Sequence, residues 1–394
     1  MTIGIDCRLF GTEHGGIGRY IRELISQLIV IDKENSYVFF VYDENQYKKI
    51  ASFIQNENRA KIIYAPYRWY TLAEQLLLPR SIKKAHVDLM HFPHFTVPLR
   101  YHGPFVVTIH DLIIHRFPDE RATTLPKWLY ALKLWGYKKV MNHAIMNARA
   151  IITPSRATKK DILHFYTKCD EQKIEVIYEG VSDLKSQFLS TNFQSNHNYQ
   201  LPIANYLLYV GSFYPHKNIE NLIKAFTILR EKYKLDINLV LAGKKDYFYQ
   251  QLRKLIDNNE AMKQLNHTIH FVGYIDDDTL ANLYQNAALF IFPSLCEGFG
   301  LPPLEAMQFG IPTVASNVSS IPEICGDAAL YCNPQNVEDI ALKIYTALTD
   351  APIRNKLREN GFRRIQMFSW RNMGEKTLQV YENMLKGTPT TSKG

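Results

Sequence analysis

The feature that most constrains the fold is residues 289–307, which read LFIFPSLCEGFGLPPLEAM. The segment Leu289–Phe292 is an apolar run of strand length, and a Pro-Ser pair ends it. A glycine-rich turn, Glu297–Gly300, comes next, and a helical pattern begins at Leu304 after two prolines. A strand, a glycine-rich turn and a helix in this order place helix N-terminal N–H groups at the carboxyl end of a strand. Open α/β sheets bind anionic ligands there.

Two carboxylates, Glu297 and Glu305, bracket this turn eight positions apart. An acidic side chain at an anion-binding helix start repels phosphate, so we expect Glu297 to accept hydrogen bonds from hydroxyl groups instead. A ligand that combines many hydroxyls with phosphate is typical of a nucleotide sugar. The segment therefore predicts a nucleotide-sugar site.

The whole segment PSLCEGFGLPPLEAMQFGIPTVAS resembles the E-x7-E signature of retaining glycosyltransferases of family 4. It is similar to the mannosyltransferase-like branch that builds bacterial surface polysaccharides such as lipopolysaccharide. The resemblance extends over nearly the whole chain and is strongest from Tyr209 to Pro334. It implies an α/β protein with the GT-B fold, in which two Rossmann-like domains face each other across a cleft. It also implies that the C-terminal helix crosses back to the first domain.

The chain of 394 residues is long enough for two domains with separate cores. The segment before residue 206 is rich in Ser, Asn and Gln and lacks periodicity, which is typical of a linker. We therefore expect an acceptor-side domain over 1–190, a linker over 191–205 and a nucleotide-sugar domain over 206–369. The helix 370–386 would complete the first domain, and the tail 387–394 is expected to be disordered.

The composition indicates a cytoplasmic protein with an anionic partner. Five scattered cysteines without paired spacing fit a reducing compartment. Lys and Arg outnumber Asp and Glu by 26 to 19 in residues 1–200, but only by 20 to 19 in the remainder. A basic half favours an anionic surface. No nucleic-acid-binding motif is present in the sequence, so the inner face of the cell membrane is the preferred anionic partner, reached as a peripheral protein.

Two features of the first half are candidates for chemistry. His110 and Asp111 follow the predicted strand Phe105–Ile109, at the strand end where α/β sites form. The family has a matching His-Asp pair, which implies a catalytic role for His110. The family usually has Asn where this chain has Glu179, so no sugar contact is carried over to that residue.

The loop 11–19 precedes a helical pattern and contains Gly16-Ile17-Gly18-Arg19. It is not the GxGxxG pattern of dinucleotide-binding enzymes, because no third glycine follows. This argues against an oxidoreductase or epimerase, which the missing Tyr-x-x-x-Lys relay also disfavours. In the family, the matching loop closes over the donor diphosphate or faces the acceptor, so Gly16 and Arg19 are assigned to donor binding.

The second half carries the remaining donor residues. Lys217 precedes a helix start on a turn that leaves a strand, where a diphosphate would collect. The family has an arginine five residues earlier, but this chain has Ser212. One expected cation is therefore missing, and Lys217, backbone N–H groups or Arg19 must supply the charge.

The resemblance also assigns roles within and around the central turn. Glu305 would bind the ribose hydroxyls, and Glu297 with the backbone of Phe299, Gly300 and Leu301 would hold the sugar. The backbone near Gly273 would hold the nucleobase. With Lys217 and His110, Glu297 completes the predicted catalytic set.

The triplet Asp276–Asp278 resembles the DxD metal motif of the other main glycosyltransferase fold. It directly precedes a helical pattern, where acidic residues cap the N-terminus and suit the helix dipole. We therefore expect a helix cap, and neither a metal nor another cofactor.

A long helix is predicted over Leu125–Met146, with Trp128, Leu132 and Trp135 on one face and lysines largely elsewhere. It could lie in a membrane interface or cover a sheet. The α/β alternation favours the second interpretation.

The functional hypothesis is a metal-independent, retaining transfer of a hexose from a nucleotide sugar to a hydroxyl of a glycan or lipid-linked oligosaccharide. The branch resemblance favours mannose from GDP-mannose, and a UDP-sugar donor remains an alternative. A non-catalytic nucleotide-sugar sensor of the same fold is the other alternative, and the presence of His110, Lys217, Glu297 and Glu305 argues against it.

Overall fold

The computed structural model describes residues 1–11, 15–54, 57–118, 123, 126–182, 184 and 205–386. The chain divides into two compact units. The first comprises residues 1–112, 125–180 and the chain from 369 onward, and the second comprises 113–124 and 181–368. Apart from Asn205, the expected linker 191–205 lies outside the described residues, as does the expected tail 387–394.

The first unit is built on a parallel sheet of seven strands in the order β3-β2-β1-β4-β5-β6-β7. In chain order the strands are β1 Thr2–Asp6, β2 Ser36–Val41, β3 Ala60–Tyr64, β4 Leu89–Phe92, β5 Phe105–Thr108, β6 Ala150–Thr153 and β7 Ile174–Val176. Its helices are α1 Gly15–Ile31, α2 Glu44–Phe53, α3 Leu72–Lys84, α5 Lys127–Asn147, α6 Arg156–Phe165 and the C-terminal α15 Trp370–Lys386. The short helix α4 Ile113–Arg116 groups with the second unit.

The second unit has a parallel sheet of six strands in the order β10-β9-β8-β11-β12-β13. The strands are β8 Tyr206–Val210, β9 Asn238–Ala242, β10 Ile269–Gly273, β11 Leu289–Phe292, β12 Thr313–Ser316 and β13 Ala329–Cys332. Its other helices are α7 Ile219–Glu231, α8 Tyr247–Asp257, α9 Glu260–Gln264, α10 Asp277–Asn286, α11 Leu301–Gln308, α12 Ile321–Cys325, α13 Val337–Thr349 and α14 Ala351–Ile365.

Both sheets reverse their strand order at one point. In the first sheet, β1 pairs with β2 on one side and with β4 on the other. Strands β2 and β3 therefore extend the sheet to one side of β1, and strands β4 to β7 extend it to the other. In the second sheet, β8 pairs with β9 and with β11. Crevices for ligands form at such switch points, outside the carboxyl ends of the strands. Two Rossmann-like α/β units are therefore present, as the sequence predicts.

Two helices begin earlier than the sequence pattern indicates. Helix α11 starts at Leu301 rather than Leu304, because prolines fit a first helical turn, where N–H groups lack intrahelical partners anyway. Helix α1 starts at Gly15, so Gly16 and Arg19 lie in its first turns rather than in a loop. A Cβ on Gly18 would lie 1.8 Å from the Gly11 carbonyl oxygen, so only glycine permits this approach.

The long helix α5 covers the sheet, but not with its tryptophan face. The core residues are Tyr137, Met141, Ala144 and Ile145. Trp128, Leu132 and Trp135 are 71%, 57% and 61% exposed, respectively. The predicted sheet-covering helix is therefore present, and its tryptophan face is the exposed one. Both faces of this helix are apolar, so periodicity could not identify the inner one.

The C-terminal helix α15 packs against α1 in the first unit, which confirms the expected return of the chain. A Cβ on Gly374 would lie 2.7 Å from Cβ of Gln27, so the two helices approach closely there. Within the part of the chain that the structure describes, every helix is too short or too polar to cross a bilayer.

A buried cation organises the carboxyl edge of the first sheet. Arg8 follows β1 and is only 2% exposed. Its guanidinium donates to both carboxylate oxygens of Asp6, at 2.8 and 2.7 Å, to Glu74 at 2.8 Å and to the Tyr67 carbonyl at 2.7 Å. Burial lowers the pKa of Arg8, but the two carboxylates outweigh it and raise the pKa above its usual value. The loops after β1 and β3 are thus held together by charge.

Replacing Arg8 with Ala should destabilise the protein by about 3–5 kcal/mol, because two buried carboxylates would lose their counter-charge. The measurement is urea unfolding followed by circular dichroism. Lys48→Ala is the matched control, since this exposed lysine lies 3.7 Å from Glu44 on α2 and should change stability by less than about 0.5 kcal/mol. Equal effects of the two variants would contradict the structural role of Arg8.

Candidate functional site

The centre of the second unit's site is an ion pair at the switch point of its sheet. Lys217 lies in the turn that leaves β8, and Glu297 lies in the turn that leaves the neighbouring strand β11. Lys217 Nζ donates to Glu297 Oε1 at 2.6 Å, and the side chains are 17% and 9% exposed. The two residues, 80 positions apart, therefore form a preorganised pair in which each side chain orients the other.

The Glu297 turn is fixed by two serines from the segment after β12. The Ser319 hydroxyl accepts from the Glu297 N–H at 3.2 Å and donates to the Glu297 carbonyl at 2.7 Å. The buried Ser320 hydroxyl lies 3.0 Å from the Glu297 carbonyl and 2.8 Å from that of Phe299. These bonds hold the glycine-rich turn in place before any ligand arrives.

The Lys217 turn is tied to the same edge. Asn218 has a left-handed backbone with φ 64°, and its amide donates to the Pro293 and Pro334 carbonyls at 3.1 and 2.7 Å. Burial, together with the charge of Lys217, lowers the pKa of His216 to about 4, so this neighbour is a neutral imidazole at physiological pH. Lys217 is therefore not accompanied by a second cation from His216.

Glu305 lies deeper than Glu297 and has a different partner. It is 3% exposed on α11, and the Tyr284 hydroxyl of α10 donates to its Oε2 at 3.0 Å. The structure therefore places the two signature carboxylates in separate environments, one beside a cation and one beside a phenol.

The backbone around these side chains offers donors for an anion. Gly300 has φ 109° and precedes the first turn of α11, which begins at Leu301. Phe299 is buried against Phe368, with ring centroids 5.6 Å apart. Helix N-terminal N–H groups carry partial positive charge. Because α11 follows β11 and Lys217 follows the neighbouring parallel strand β8, both positive groups lie at the same edge of the sheet.

Two other residues that the sequence predicts to bind the sugar donor lie at the ends of β10 and β8. Gly273 ends β10 with φ 81°, and its carbonyl accepts from the Gly243 N–H at 3.0 Å. Ser212 follows β8, and its carbonyl accepts from the Tyr209 hydroxyl at 2.7 Å. The Ser212 hydroxyl cannot replace a positive charge.

In the first unit, His110 is held by acceptors at both ring nitrogens. Its Nδ1 lies 3.3 Å from Glu179 Oε1, and its Nε2 lies 2.9 Å from the Pro93 carbonyl oxygen. Burial lowers the pKa of His110, but the hydrogen bond and charge of Glu179 and the Pro93 carbonyl outweigh it, so the pKa is raised above its ordinary value. A ring that donates from both nitrogens has no lone pair with which to accept a proton.

A second buried histidine lies behind His110. His91 contacts the Tyr381 hydroxyl of α15 through Nδ1 at 2.5 Å and the Thr108 hydroxyl through Nε2 at 2.9 Å. Burial, followed by the charge of His110, lowers the pKa of His91 to about 3, so its imidazole is neutral. The Tyr20 hydroxyl lies 3.2 Å from that of Thr108, and the Tyr20 ring packs edge-on against His110 with centroids 4.8 Å apart.

The start of α1 is the other predicted donor element of the first unit. Gly16 is exposed, and among the residues that the structure describes no atom lies within 4 Å of a Cβ built there. Arg19 is half-buried on the same helix.

The acidic triplet caps a helix. Asp276 is the N-cap of α10 and accepts from the Thr279 N–H at 2.8 Å. Among the described residues, no group of three or more His, Cys, Asp or Glu side chains could hold a metal ion.

Sequence reasoning missed Glu179, Tyr284, Ser319 and Ser320. Glu179 follows β7, and the two serines follow β12. Their position after the carboxyl end of a strand could have identified them as candidate site residues. Tyr284 lies in a helix interior 21 residues before Glu305, and no local pattern connects the two.

Comparison with family models covers most of the chain. The model for glycosyl transferases group 1 matches residues 195–364, and that for glycosyltransferase family 4 matches residues 14–183. The first therefore contains the Lys217–Glu297 pair, and the second contains His110 and Glu179.

Curated relatives match along the same length. O-antigen chain mannosyltransferase B of Escherichia coli is 29% identical over 93% of this chain and 96% of its own. The serotype-specific mannosyltransferase WbdA of Escherichia coli is 32% identical over 93% of this chain, which spans 43% of that longer protein.

Solved structures share the fold. A glycosyltransferase from Rickettsia africae superposes with a TM-score of 0.69 at 20% identity, covering 98% of this chain and 99% of the other. Anabaena HepE, solved in complex with UDP and glucose, gives 0.69 at 17% identity over 97% and 100% of the two chains. Such neighbours are GT-B glycosyltransferases, which confirms the predicted fold class. The chain is an enzyme, a GT-B glycosyltransferase of the group 1 and family 4 type.

Proposed function

We propose that this glycosyltransferase is a retaining hexosyltransferase that transfers mannose from GDP-mannose to a hydroxyl of a glycan or lipid-linked oligosaccharide, without a metal. The observation that carries the proposal is the 2.6 Å Lys217–Glu297 pair at the β8–β11 switch point. The names of the curated mannosyltransferases support the choice of sugar. We further propose that it acts in the cytoplasm, at the inner face of the membrane.

In this proposal Lys217 and Glu297 bind different parts of the donor. Lys217 and the first N–H groups of α11 take the diphosphate, where negative charge grows as the sugar leaves. Preorganised donors of this kind contribute most when aimed at developing charge. Glu297 accepts from the sugar hydroxyls, and Glu305, oriented by Tyr284, accepts from the ribose.

The transfer replaces one bond at the anomeric carbon with another on the same face of the sugar. The bond from C1 to the phosphate oxygen breaks, and a bond from C1 to the acceptor oxygen forms. The leaving phosphate takes the acceptor proton, so the products are a glycoside and a nucleoside diphosphate. Glu297 is not the nucleophile in this scheme, because its carboxylate is already engaged by Lys217.

In this proposal His110 donates hydrogen bonds from its ring rather than acting as a base. Its raised pKa and its two acceptors favour the imidazolium form. We propose that the ring fixes the Pro93 and Glu179 loops, against which the reacting groups are positioned. Its role then depends on Glu179, which the sequence pattern did not assign.

Lys217→Ala should lower kcat/KM for GDP-mannose by roughly 100- to 1000-fold, as expected for loss of one preorganised charged donor. The assay is release of GDP from GDP-mannose, first without acceptor and then with UDP-mannose and UDP-glucose as competing donors. Lys224→Ala, an exposed lysine on α7, is the matched control and should retain wild-type turnover. A loss below about fivefold in Lys217→Ala would contradict the assignment.

The same assay in excess EDTA separates this proposal from a metal-dependent one. Asp276 is engaged as a helix cap, so turnover should be unchanged by chelation and by added Mg²⁺ or Mn²⁺. An absolute requirement for either ion would overturn the metal-independent mechanism and restore the triplet as a ligand.

The stability contributed by the His110–Glu179 pair should fall as pH rises. Because the folded pKa of His110 is raised, the pair stabilises fully below the unfolded value of about 6.5 and loses its effect as pH passes the folded value. Urea unfolding of wild type and His110→Gln should therefore differ more at pH 6 than at pH 8.5.

An NMR titration isolates the cause. Glu179→Gln should lower the pKa of His110, whereas the pKa of His216 should be unchanged. The account would be contradicted if the stability difference between wild type and His110→Gln grew with pH. It would also be contradicted if Glu179→Gln left the pKa of His110 unchanged.

A further inference from the structure

The outward face of α5 combines large apolar side chains with lysines. Trp128, Leu132 and Trp135 recur at helical spacing and are more than half exposed. Lys139 continues this stripe, with its Nζ 5.7 Å from the centre of the Trp135 ring. The segment 126–147 contains four lysines and neither Asp nor Glu. Exposed aromatic rings on a helix whose own charged residues are all cations are unusual for a helix that merely covers a sheet.

The first turns of α3 present a similar surface. Tyr70, Leu72 and Leu76 are 55%, 80% and 38% exposed, respectively. The only acidic residue of this helix, Glu74, is buried and paired with Arg8 at 2.8 Å. The exposed part of this turn therefore carries no negative charge either.

These two patches lie on the same side and at the same edge of the first sheet. Leu78 and Ile82 of α3 and Met141 of α5 belong to one core cluster, so both helices cover the same sheet face. Helix α3 follows the end of β3, and α5 ends just before β6 begins, so the first turns of both helices lie toward the carboxyl edge of the parallel sheet. The Phe95 ring bridges them, with centroids 6.2 Å from Tyr70 and 5.0 Å from Tyr137.

We propose that this surface attaches the protein to an anionic lipid bilayer. We call it the tryptophan–lysine surface and define it by its exposed residues, Tyr70, Leu72, Leu76, Trp128, Leu132, Trp135, Lys133, Lys138 and Lys139. The inference deepens the proposed function and rests on it for one point, that the acceptor is lipid-linked. Phe95 lies two residues from Pro93, whose carbonyl accepts from His110, so an acceptor held at the bilayer would reach the His110 side of the sheet.

The composition of the surface favours a bilayer over a protein partner. Protein interfaces are depleted in lysine, whereas amphipathic helices that lie in a membrane interface combine Trp and Leu with Lys. Tryptophan rings settle at the headgroup level, and lysine side chains reach from there to lipid phosphates. The lysines then bind anionic headgroups over short distances in a salt-dependent way.

The test is co-sedimentation of the full chain with vesicles of phosphatidylcholine alone or with phosphatidylglycerol, at 0.15 and 0.5 M salt. Trp128→Ser/Trp135→Ser removes the apolar part, and Lys133→Gln/Lys138→Gln/Lys139→Gln removes the charge. Leu342→Ser, at an exposed apolar residue of the second unit, is the matched control. Tryptophan emission and its quenching by brominated lipids report insertion directly.

We expect wild type and Leu342→Ser to bind phosphatidylglycerol vesicles, with a blue-shifted emission, at least tenfold more strongly than neutral ones. Each surface variant should lose at least tenfold at 0.15 M salt, while GDP release from GDP-mannose without acceptor is unchanged. Equal binding to both vesicle types, no binding, or wild-type binding by both variants would overturn the proposal. Absence of donor turnover in every protein would instead contradict the proposed function and leave the vesicle result valid.

Discussion

The ion pair between Lys217 and Glu297 is the interaction on which the proposed chemistry depends. A lysine and a carboxylate at 2.6 Å, each largely shielded from solvent, fix one another in a single arrangement. A buried pair is costly to desolvate, and such pairs are retained in some proteins for the geometry that they specify. In the proposed mechanism, that geometry sets a cation toward the phosphate and an acceptor toward the sugar hydroxyls.

The fold supplies the positions and other interactions make them rigid. Adjacent parallel strands β8 and β11 end at the same edge, so the turns that follow them meet. Ser319 and Ser320 then hold the Glu297 turn, and Asn218 holds the Lys217 turn through two carbonyls. The first unit repeats this design at its own switch point, where Arg8 joins Asp6 to Glu74. In each unit a buried charge pair fixes the loops at the switch point of that unit's own sheet.

Local sequence patterns predicted the two α/β units and the strand ends that carry the candidate site, because strands, glycine turns and helix starts are short-range features. The pairing of Lys217 with Glu297, and of Tyr284 with Glu305, depends on which strands and helices are neighbours, and no local pattern contains that. The role of Glu179 was hidden because it departs from the family residue. The sequence does not tell which face of α5 is exposed, because both faces are apolar and only packing on the sheet decides between them.

The most direct measurement of the central claim is the affinity of GDP, without its sugar, for wild type, Lys217→Met and Glu297→Gln by isothermal titration calorimetry. If the cation binds the diphosphate while the carboxylate competes for that cation, the two substitutions act in opposite directions. Lys217→Met should then weaken GDP binding, and Glu297→Gln should strengthen it while abolishing turnover of GDP-mannose. Equal GDP affinity in all three proteins would contradict the account.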